Sequence, residues 1–315
     1  MDLKAKNHAI KTTSQGRPHS PATWVPTLYF AMGMPFVVLN MVSALMYKGM
    51  GVSDAQIAFW TSLIMVPWTL KPLWSPFLEI YKTKKFFVVL TQLLTGVLFA
   101  LVAFALHLPS FFAITIAILA VIAMSGATHD IAADGFYMLA LNSQQQSFFV
   151  GIRSTFYRLS SIFGQGVLVF IAGMLERKTG DIPLAWSITM GITAVMFSVV
   201  TLYHTVFIPH SKEDTPKEGN ASTHAQDIIS EFGRTFVTYF KKPGVWLAIV
   251  FMLLYRLPEA FLLKMVNPFL LDKRIAGGLE LSTESVGFIY GTIGVFFLTI
   301  GGIIGGIAAS RWGLK

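Results

Sequence analysis

Residues 111–141 read FFAITIAILAVIAMSGATHDIAADGFYMLAL, an almost unbroken apolar run that contains one histidine and two aspartates. A helix needs about 20 predominantly apolar residues to cross a bilayer, so this run predicts a transmembrane helix. The composition agrees, because 54% of the chain is hydrophobic and only 13% is charged. Soluble domains carry roughly a quarter charged residues. The sequence therefore predicts an all-α, polytopic membrane protein.

Seven further segments meet the same criterion, which gives about eight predicted spans. They are residues 23–47, 56–78, 86–107, 151–175, 183–207, 245–271 and 284–309. The connections are short except for one polar segment between the sixth and seventh spans. The predicted domains are an N-terminal tail (1–22), a six-helix transmembrane domain (23–207), a linker (208–242) and the start of a second transmembrane domain (243–315).

The distribution of Lys and Arg predicts the orientation, since these residues accumulate in cytoplasmic loops. With a cytoplasmic N-terminus, fifteen fall on the inner side and five on the outer side. The inner set is Lys4, Lys6, Lys11, Arg17, Lys82, Lys84, Lys85, Arg153, Lys212, Lys217, Arg234, Lys241, Lys242, Arg311 and Lys315; the outer set is Lys48, Arg177, Lys178, Lys273 and Arg274. The bias favours an inner N-terminus and accounts for the net charge of +8 without a nucleic-acid partner.

The linker has its own pattern. Apolar residues recur at four-residue spacing, which predicts an amphipathic helix on the inner membrane surface; they are Ile228, Ile229, Phe232, Phe236, Val237 and Phe240. Residues 212–223 are polar and favour a flexible tether. Six spans, a long linker and further spans are typical of the major facilitator superfamily, whose two halves are repeats. About four more spans would complete that layout, so we expect a truncated chain, with a natural eight-span protein as the alternative.

Ionisable side chains inside spans are costly, roughly 2.5–3.5 kcal/mol on insertion scales, and mark functional sites. The fourth span carries His129, Asp130 and Asp134, and the two aspartates are four residues apart on one helix face. Arg158 of the fifth span is expected at the level of Asp134, so we predict an ion pair between these two residues. We interpret Asp130, Asp134 and Arg158 as a proton-coupling group, with a static packing pair as the alternative. Arg153 is predicted to lie at the membrane surface as a gate.

Other polar residues in the spans are candidates for contact with a solute. Arg256 and Glu259 are three residues apart beside Pro258, and are expected either to bind solute or to form an internal pair. Asn40, Lys71, His129 and Tyr157 complete the predicted solute site, although His129 also fits a packing role and Lys71 is within snorkelling reach of the surface. Glu79, with Lys82 and Lys85, is predicted to latch helices together on the inner side.

Several classes of function lack their motifs. The chain has no cysteine, and it contains no phosphate-binding loop, nucleophile elbow, dinucleotide-binding glycine pattern or zinc-ligand histidine pair. We therefore expect no enzyme activity, catalytic residues, metal or cofactor.

Four segments resemble the AmpG-type permeases, the muropeptide branch of the major facilitator superfamily that also includes acetyl-CoA transporters. They are LKPLWSP (70–76), Asp130 with Asp134, YRL (157–159) and YRLPEAF (255–261). The resemblance implies proton-coupled import of anhydro-muropeptides across the bacterial inner membrane, with Asp130 and Asp134 in proton coupling. This sequence differs at Glu79, where aspartate is usual, and at His129, where glutamine is frequent.

The predicted function is thus secondary transport by alternating access, with a small polar solute, protons and the lipid bilayer as partners, in a monomer. Two alternatives are a permease for another sugar, peptide or acyl-CoA-like anion, and a membrane receptor or scaffold that has lost flux.

Overall fold

The computed structural model describes residues 20–211, 213–215, 230, 233–234, 237–294, 296–297 and 300, without the side chains of Glu79 and Ile80. Within these residues the chain forms helices and no strands. We label its spans α1 to α8. The uninterrupted α-helices are α3 (Lys84–Ala105), α4 (Phe111–Ala140), α6 (Ile182–Phe207) and α7 (Val245–Leu271).

The other four spans contain breaks or π-helical turns. Their parts are α1 (Pro21–Val37, Val38–Val42, Ser43–Gly49), α2 (Asp54–Leu63, Val66–Leu70, Lys71–Leu73, Ser75–Ile80), α5 (Ser143–Ile162, Phe163–Leu168, Val169–Thr179) and α8 (Thr283–Phe288, Ile289–Ile293). We call the end of the bundle where α1 begins the proximal end and the end where α1 stops the distal end.

Among the described residues, six helices are long and apolar enough to cross a membrane, namely α1, α3, α4, α5, α6 and α7. The predicted all-α, polytopic fold is confirmed. Parts of the predicted span at 284–309 and of the predicted linker helix lie outside the described residues, as do residues 1–19 of the N-terminal tail and residues 216–223 of the tether.

The predicted span at 56–78 is helical but not continuous. Pro67, Pro72 and Pro76 each stand at the first or second position of one of the three short helices that follow Leu63. Proline has no backbone N–H, and its ring clashes with the carbonyl four residues earlier, so it starts a helix well and interrupts one. The single helix predicted for α2 is therefore wrong, and the chain turns at residues 64–65 and again at Lys71.

Helix α1 forms the centre of the bundle and packs against α4, α5 and α6, while α3 packs against α4 and α6. Trp24, Leu28, Met34 and Tyr47 of α1 are at most 1% exposed. Because lipid tails are as apolar as these side chains, close packing rather than transfer from water holds such helices together. Helix α7 is the opposite case, with only Val245, Asn267 and Pro268 buried.

The π-helical turns of α1, α5 and α8 meet in a row. Backbones approach closely there because glycines lack a side chain: a Cβ added at Gly166 of α5 would lie 2.4 Å from the Cα of Gly291 of α8. Similarly, a Cβ at Gly164 would lie 2.7 Å from Cγ1 of Val37. Small residues at helix contacts are the usual means of close packing in membranes.

Ion pairs link the loops at the distal end. The Nζ of Lys48 lies 2.7 Å from Asp54 Oδ1 and 2.5 Å from Asp272 Oδ1. Arg177, near the end of α5, pairs with Glu284 at the start of α8. These contacts join the first six spans to the α7–α8 region.

Candidate functional site

Helix α4 carries the acidic side chains of the candidate site. Its sequence is apolar on most sides and it runs unbroken for 30 residues, so His129, Asp130 and Asp134 are held on a rigid element. His129 and Asp130 are each 4% exposed. A buried carboxylate needs compensating partners, and each aspartate has a basic partner on another helix.

Asp130 is paired with Lys71. The Nζ of Lys71 lies 2.6 Å from Asp130 Oδ2, and Trp68 Nε1 donates to the same oxygen at 2.9 Å. Both partners come from the broken part of α2, next to the proline-dependent turns. The other carboxylate oxygen, Oδ1, is buried and has no hydrogen-bond partner among the described residues. The sequence identified Lys71 only as a solute-binding candidate and missed this pair and the role of Trp68.

Asp134 is paired with Arg153 and not with Arg158. Its Oδ1 lies 3.6 Å from Arg153 Nη1 and accepts a hydrogen bond of 2.8 Å from the Tyr29 hydroxyl. The Arg153 guanidinium also lies over the rings of Tyr29 and Tyr137, at 4.9 and 5.1 Å from their centroids. The predicted Asp134–Arg158 pair is therefore wrong, and the position of Arg153 at the membrane surface stays a prediction.

The error has a physical cause in the start of α5. Asn142 caps the helix, and the side chain of Gln145 completes a capping box, so α5 begins at Ser143. The prediction started the span at residue 151, eight residues later, which at 1.5 Å per residue is about 12 Å. The earlier start carries Arg153 deeper into the bundle, to the level of Asp134.

A cavity of about 290 Å³ lies beside the Asp134–Arg153 pair. Its walls come from α1 and α5 and are formed by Tyr29, Met32, Arg153, Ser154, Tyr157 and Arg158. Arg158 makes no ion pair among the described residues, and it is exposed. The structure thus brings three predicted residues, Arg153, Tyr157 and Arg158, to one water-accessible space.

His129 belongs to a buried hydrogen-bonded series that the sequence did not reveal. His204 Nδ1 lies 2.9 Å from Gln92 Oε1, and Gln92 Nε2 lies 2.8 Å from His129 Nε2. His204 Nε2 in turn lies 2.9 Å from Thr27 Oγ1. The series joins α1, α3, α4 and α6, which fits the packing alternative for His129. In the sequence, Gln92 and His204 are recognisable only as single polar residues within apolar runs.

A second polar cluster joins α1, α2 and α7. Lys264 Nζ lies 2.7 Å from Asn40 Oδ1 and 3.3 Å from Thr61 Oγ1. Next to it, Asn267 Nδ2 donates to the Met41 carbonyl at 3.4 Å. Asn40 stands in the π-helical turn of α1, a feature that is frequent at functional sites. Lys264 was the unexpected member, since the prediction for α7 centred on Arg256 and Glu259.

Arg256 and Glu259 form the predicted ion pair along one face of α7. Their side chains are 69% and 54% exposed, so they contact no other described helix. The two residues do pair, and both alternatives, solute contact and an internal structural pair, stay predictions.

The predicted proximal latch of Glu79, Lys82 and Lys85 stays a prediction, although Lys85 does contact a second helix. Lys85 Nζ donates to the Ile208 carbonyl at 2.6 Å. This carbonyl lies at the C-terminal end of α6, where the helix dipole stabilises a cation. Asp214 accepts from the backbone N–H groups of Lys84 and Lys85. Lys82 is exposed, and the side chain of Glu79 lies outside the described residues.

Metal ligands do not converge in the part of the chain that the structure describes, where no three His, Cys, Asp or Glu side chains could hold an ion. Asp130 and Asp134 are instead paired with Lys71 and Arg153.

Known proteins resemble this chain along most of its length. The anhydromuropeptide permease of Escherichia coli (strain K12) is 25% identical over 295 residues, which is 91% of this chain and 55% of the permease. A Rickettsia prowazekii protein named as transporter AmpG 3 is 25% identical over 80% of this chain and 59% of its own length. The chain spans about half the length of these curated relatives. The resemblance to AmpG-type permeases is thereby confirmed.

The family profile of the Major Facilitator Superfamily matches residues 27–315. That match covers α1 to α8, including the site on α4 and its partners on α2 and α5. Together with the helical fold and its six helices long and apolar enough to cross a membrane, it shows that the chain belongs to the major facilitator superfamily.

Proposed function

We propose that this chain is part of a proton-coupled importer of muropeptides or related cell-wall saccharides, working by alternating access in the bacterial inner membrane. The observation that carries the proposal is the pair of aspartates on one face of α4, each held by a basic residue of a different helix, with Asp134 beside a cavity.

Asp134 is the aspartate that is more accessible to a proton. Its side chain is 42% exposed, whereas that of Asp130 is 5% exposed. A neighbouring arginine favours the charged form of a carboxylate, and protonation of the carboxylate removes the attraction between the two groups. Protonation of Asp134 would therefore end its attraction to Arg153, so that the guanidinium, still held over the rings of Tyr29 and Tyr137, becomes available to a solute in the cavity beside it.

Asp130 extends this mechanism to α2. Its pair with Lys71 ties α4 to the proline-broken part of α2, the span with the most short segments. A change in the charge of Asp130 would loosen that contact. Proton and solute movement are then coupled because the Asp130–Lys71 pair holds α2 and the Asp134–Arg153 pair holds α5. The linker (208–242) would let the six-helix unit move against the second transmembrane unit.

The excess of Lys and Arg at the proximal end supports a cytoplasmic N-terminus. Muropeptides enter the proposal because the E. coli relative is an anhydromuropeptide permease. A permease for another glycan or an acyl-CoA-like anion is the second candidate within transport, favoured by the free Arg158 in the cavity. A receptor without flux is the candidate outside transport.

Uptake into proteoliposomes tests the proposal. The full-length protein should accumulate a labelled disaccharide–anhydromuropeptide when the outside is made acidic, and a protonophore should stop it. Asp134→Asn should abolish accumulation driven by the pH gradient and retain exchange of labelled for unlabelled solute, because a neutral amide mimics the protonated acid. Binding of the solute without flux in the unmodified protein would favour the receptor and overturn the proposal.

A further inference from the structure

Lys264 lies within the transmembrane helix α7, and its ammonium is held only by neutral oxygens. Asn40 supplies an amide oxygen at 2.7 Å and Thr61 a hydroxyl oxygen at 3.3 Å. Thr61 gives its own proton to the Ile57 carbonyl at 2.8 Å, so it serves Lys264 purely as an acceptor. The described residues offer Lys264 no carboxylate.

This arrangement differs from the basic residues of the α4 site. Lys71 and Arg153 each have an aspartate partner. Residues 294–315 contain no Asp or Glu in their sequence. A cation inside a membrane protein is costly unless an opposite charge compensates it. A carboxylate brought by a bound solute would supply the charge that the described residues do not.

The cluster has donors to spare. An ammonium carries three N–H groups, and two acceptors are in place, which leaves one N–H for a ligand. The amide nitrogen of Asn40 is a further donor, because its oxygen is the atom that faces Lys264. Two donors at one place, one of them cationic, suit an anionic oxygen pair such as a carboxylate.

The location also suits a solute. Asn40 is nine residues before the distal end of α1 at Gly49, about 13 Å at helical rise, and so lies near the middle of a hydrocarbon core of about 30 Å. Phe36, one turn earlier on α1, packs edge-to-face on Trp68 at 5.5 Å, and Trp68 bonds Asp130. The Phe36–Trp68 pair thus lies between the Lys264 cluster and Asp130.

We propose that Lys264, with Asn40, forms an anion subsite that binds a carboxylate of the transported solute, such as the carboxylate of a muramyl residue or its peptide. The inference rests on the proposed transport function and adds the chemical group that the solute must carry. The bound carboxylate supplies the negative countercharge that the described residues do not offer Lys264. It also draws α7 and α1 together around the solute.

Competition experiments test the subsite. Proteoliposomes with the full-length protein take up a labelled disaccharide–anhydromuropeptide, and anhydro-N-acetylmuramic acid competes with it, compared with the carboxamide of the same sugar. The unmodified protein should bind the acid about tenfold more tightly than the amide, the value of one charged hydrogen bond. Lys264→Gln should bring the two competitors to equal potency, while Lys264→Arg should keep most of the preference.

Lys178→Gln, an exposed lysine near the end of α5, is the matched control and should leave the preference unchanged. Unaltered competition by the carboxamide in Lys264→Gln shows that the variant is folded. Equal potency of acid and amide in the unmodified protein, or full discrimination in Lys264→Gln, overturns the subsite while transport stands. Absence of labelled uptake with every variant instead overturns the proposed function.

Discussion

Asp134 and Arg153 are the residues on which the proposed coupling depends most. The pair is partly open to water, with 42% and 32% of the two side chains exposed. An exposed ion pair contributes little to stability, about 0.2–1 kcal/mol, so its retention between two spans fits a contact that is made and broken. The cation–π contacts of Arg153 with Tyr29 and Tyr137 keep the guanidinium in place when the aspartate is neutral.

A double-mutant cycle distinguishes the observed pair from the one that the sequence predicted. Asp134→Asn and Arg153→Gln should be non-additive by about 0.5–1 kcal/mol in the free energy of unfolding in detergent, as measured for other partly exposed pairs. Asp134→Asn and Arg158→Gln should be additive, because Arg158 makes no ion pair among the described residues. Coupling of Arg158 and additivity of Arg153 would contradict the assignment.

Gln92 is the second residue with a sharp expectation. It offers its oxygen to His204 and its nitrogen to His129, both buried. Gln92→Leu keeps the approximate size, leaves His129 without its partner and removes one of the two partners of His204, so the free energy of unfolding should fall by about 1–3 kcal/mol. Thermal unfolding in detergent measures the loss, with the exposed Gln144→Leu as control. Equal stability of the two variants would refute the role of the series.

At the scale of the elements, α2 and the three π-helical turns are the departures from regular helix. The prolines of α2 allow Trp68 and Lys71 to reach Asp130, and the π-helical turns of α1, α5 and α8 bring backbones together. Such irregularities are tolerated in membranes where neighbouring protein satisfies the freed backbone groups. They are the elements at which helices can change their packing.

Glycine substitutions at two helices should have opposite effects. Gly166→Ala places a methyl group 2.4 Å from Gly291 Cα, and overpacking of this kind costs about 1–3 kcal/mol. Gly191→Ala of α6 meets nothing within 4 Å and should stabilise by up to about 1 kcal/mol, because alanine favours a helix over glycine. Unfolding temperatures of the two variants give the comparison. A stabilised Gly166→Ala variant would mean that α5 and α8 do not meet there.

At the scale of the whole molecule, the ion pairs at the distal end hold that end closed. Lys48 bridges Asp54 and Asp272, and Arg177 meets Glu284. The cavity with Arg153 lies nearer the proximal end of the bundle. In the proposed mechanism of alternating access, this distribution is one of the two states, and opening of the distal end must break these pairs.

Cross-linking tests that motion, and the absence of native cysteines from these 315 residues makes introduced ones unique. In a Lys48→Cys, Asp272→Cys double variant, a cleavable bifunctional thiol reagent should join the α1–α2 loop to the end of α7 and stop uptake. Cleavage should restore uptake, and the single variants should be unaffected by the reagent. Undiminished uptake by the linked protein would show that the distal end need not open.

The orientation of the molecule has a separate test. With a cytoplasmic N-terminus, a cysteine at Lys178, near the distal end, should react with a membrane-impermeant maleimide in intact cells. A cysteine at Lys82, near the proximal end, should react only after permeabilisation. The reverse result would place the N-terminus outside.

The sequence by itself determined the fold class and most spans, because lipid imposes one strong rule: a crossing segment must be a long, apolar helix whose backbone bonds to itself. It also identified Asp130 and Asp134, since a charge in an apolar run is conspicuous. The break in α2 was foreseeable from Pro67, Pro72 and Pro76, and the early start of α5 from Asn142 and Gln145, but apolar length outweighed both signals in the prediction.

Only the tertiary structure decided the partners. Asp130 pairs with Lys71, 59 residues away in sequence, and Lys264 meets Asn40 at a separation of 224. A helix pattern gives the face on which a residue lies, but the choice of partner depends on the rotation, depth and approach of a second helix. Arg153 and Arg158 are five residues apart, about 7.5 Å along the helix, so the eight-residue error in the predicted start of α5 was enough to exchange one for the other beside Asp134.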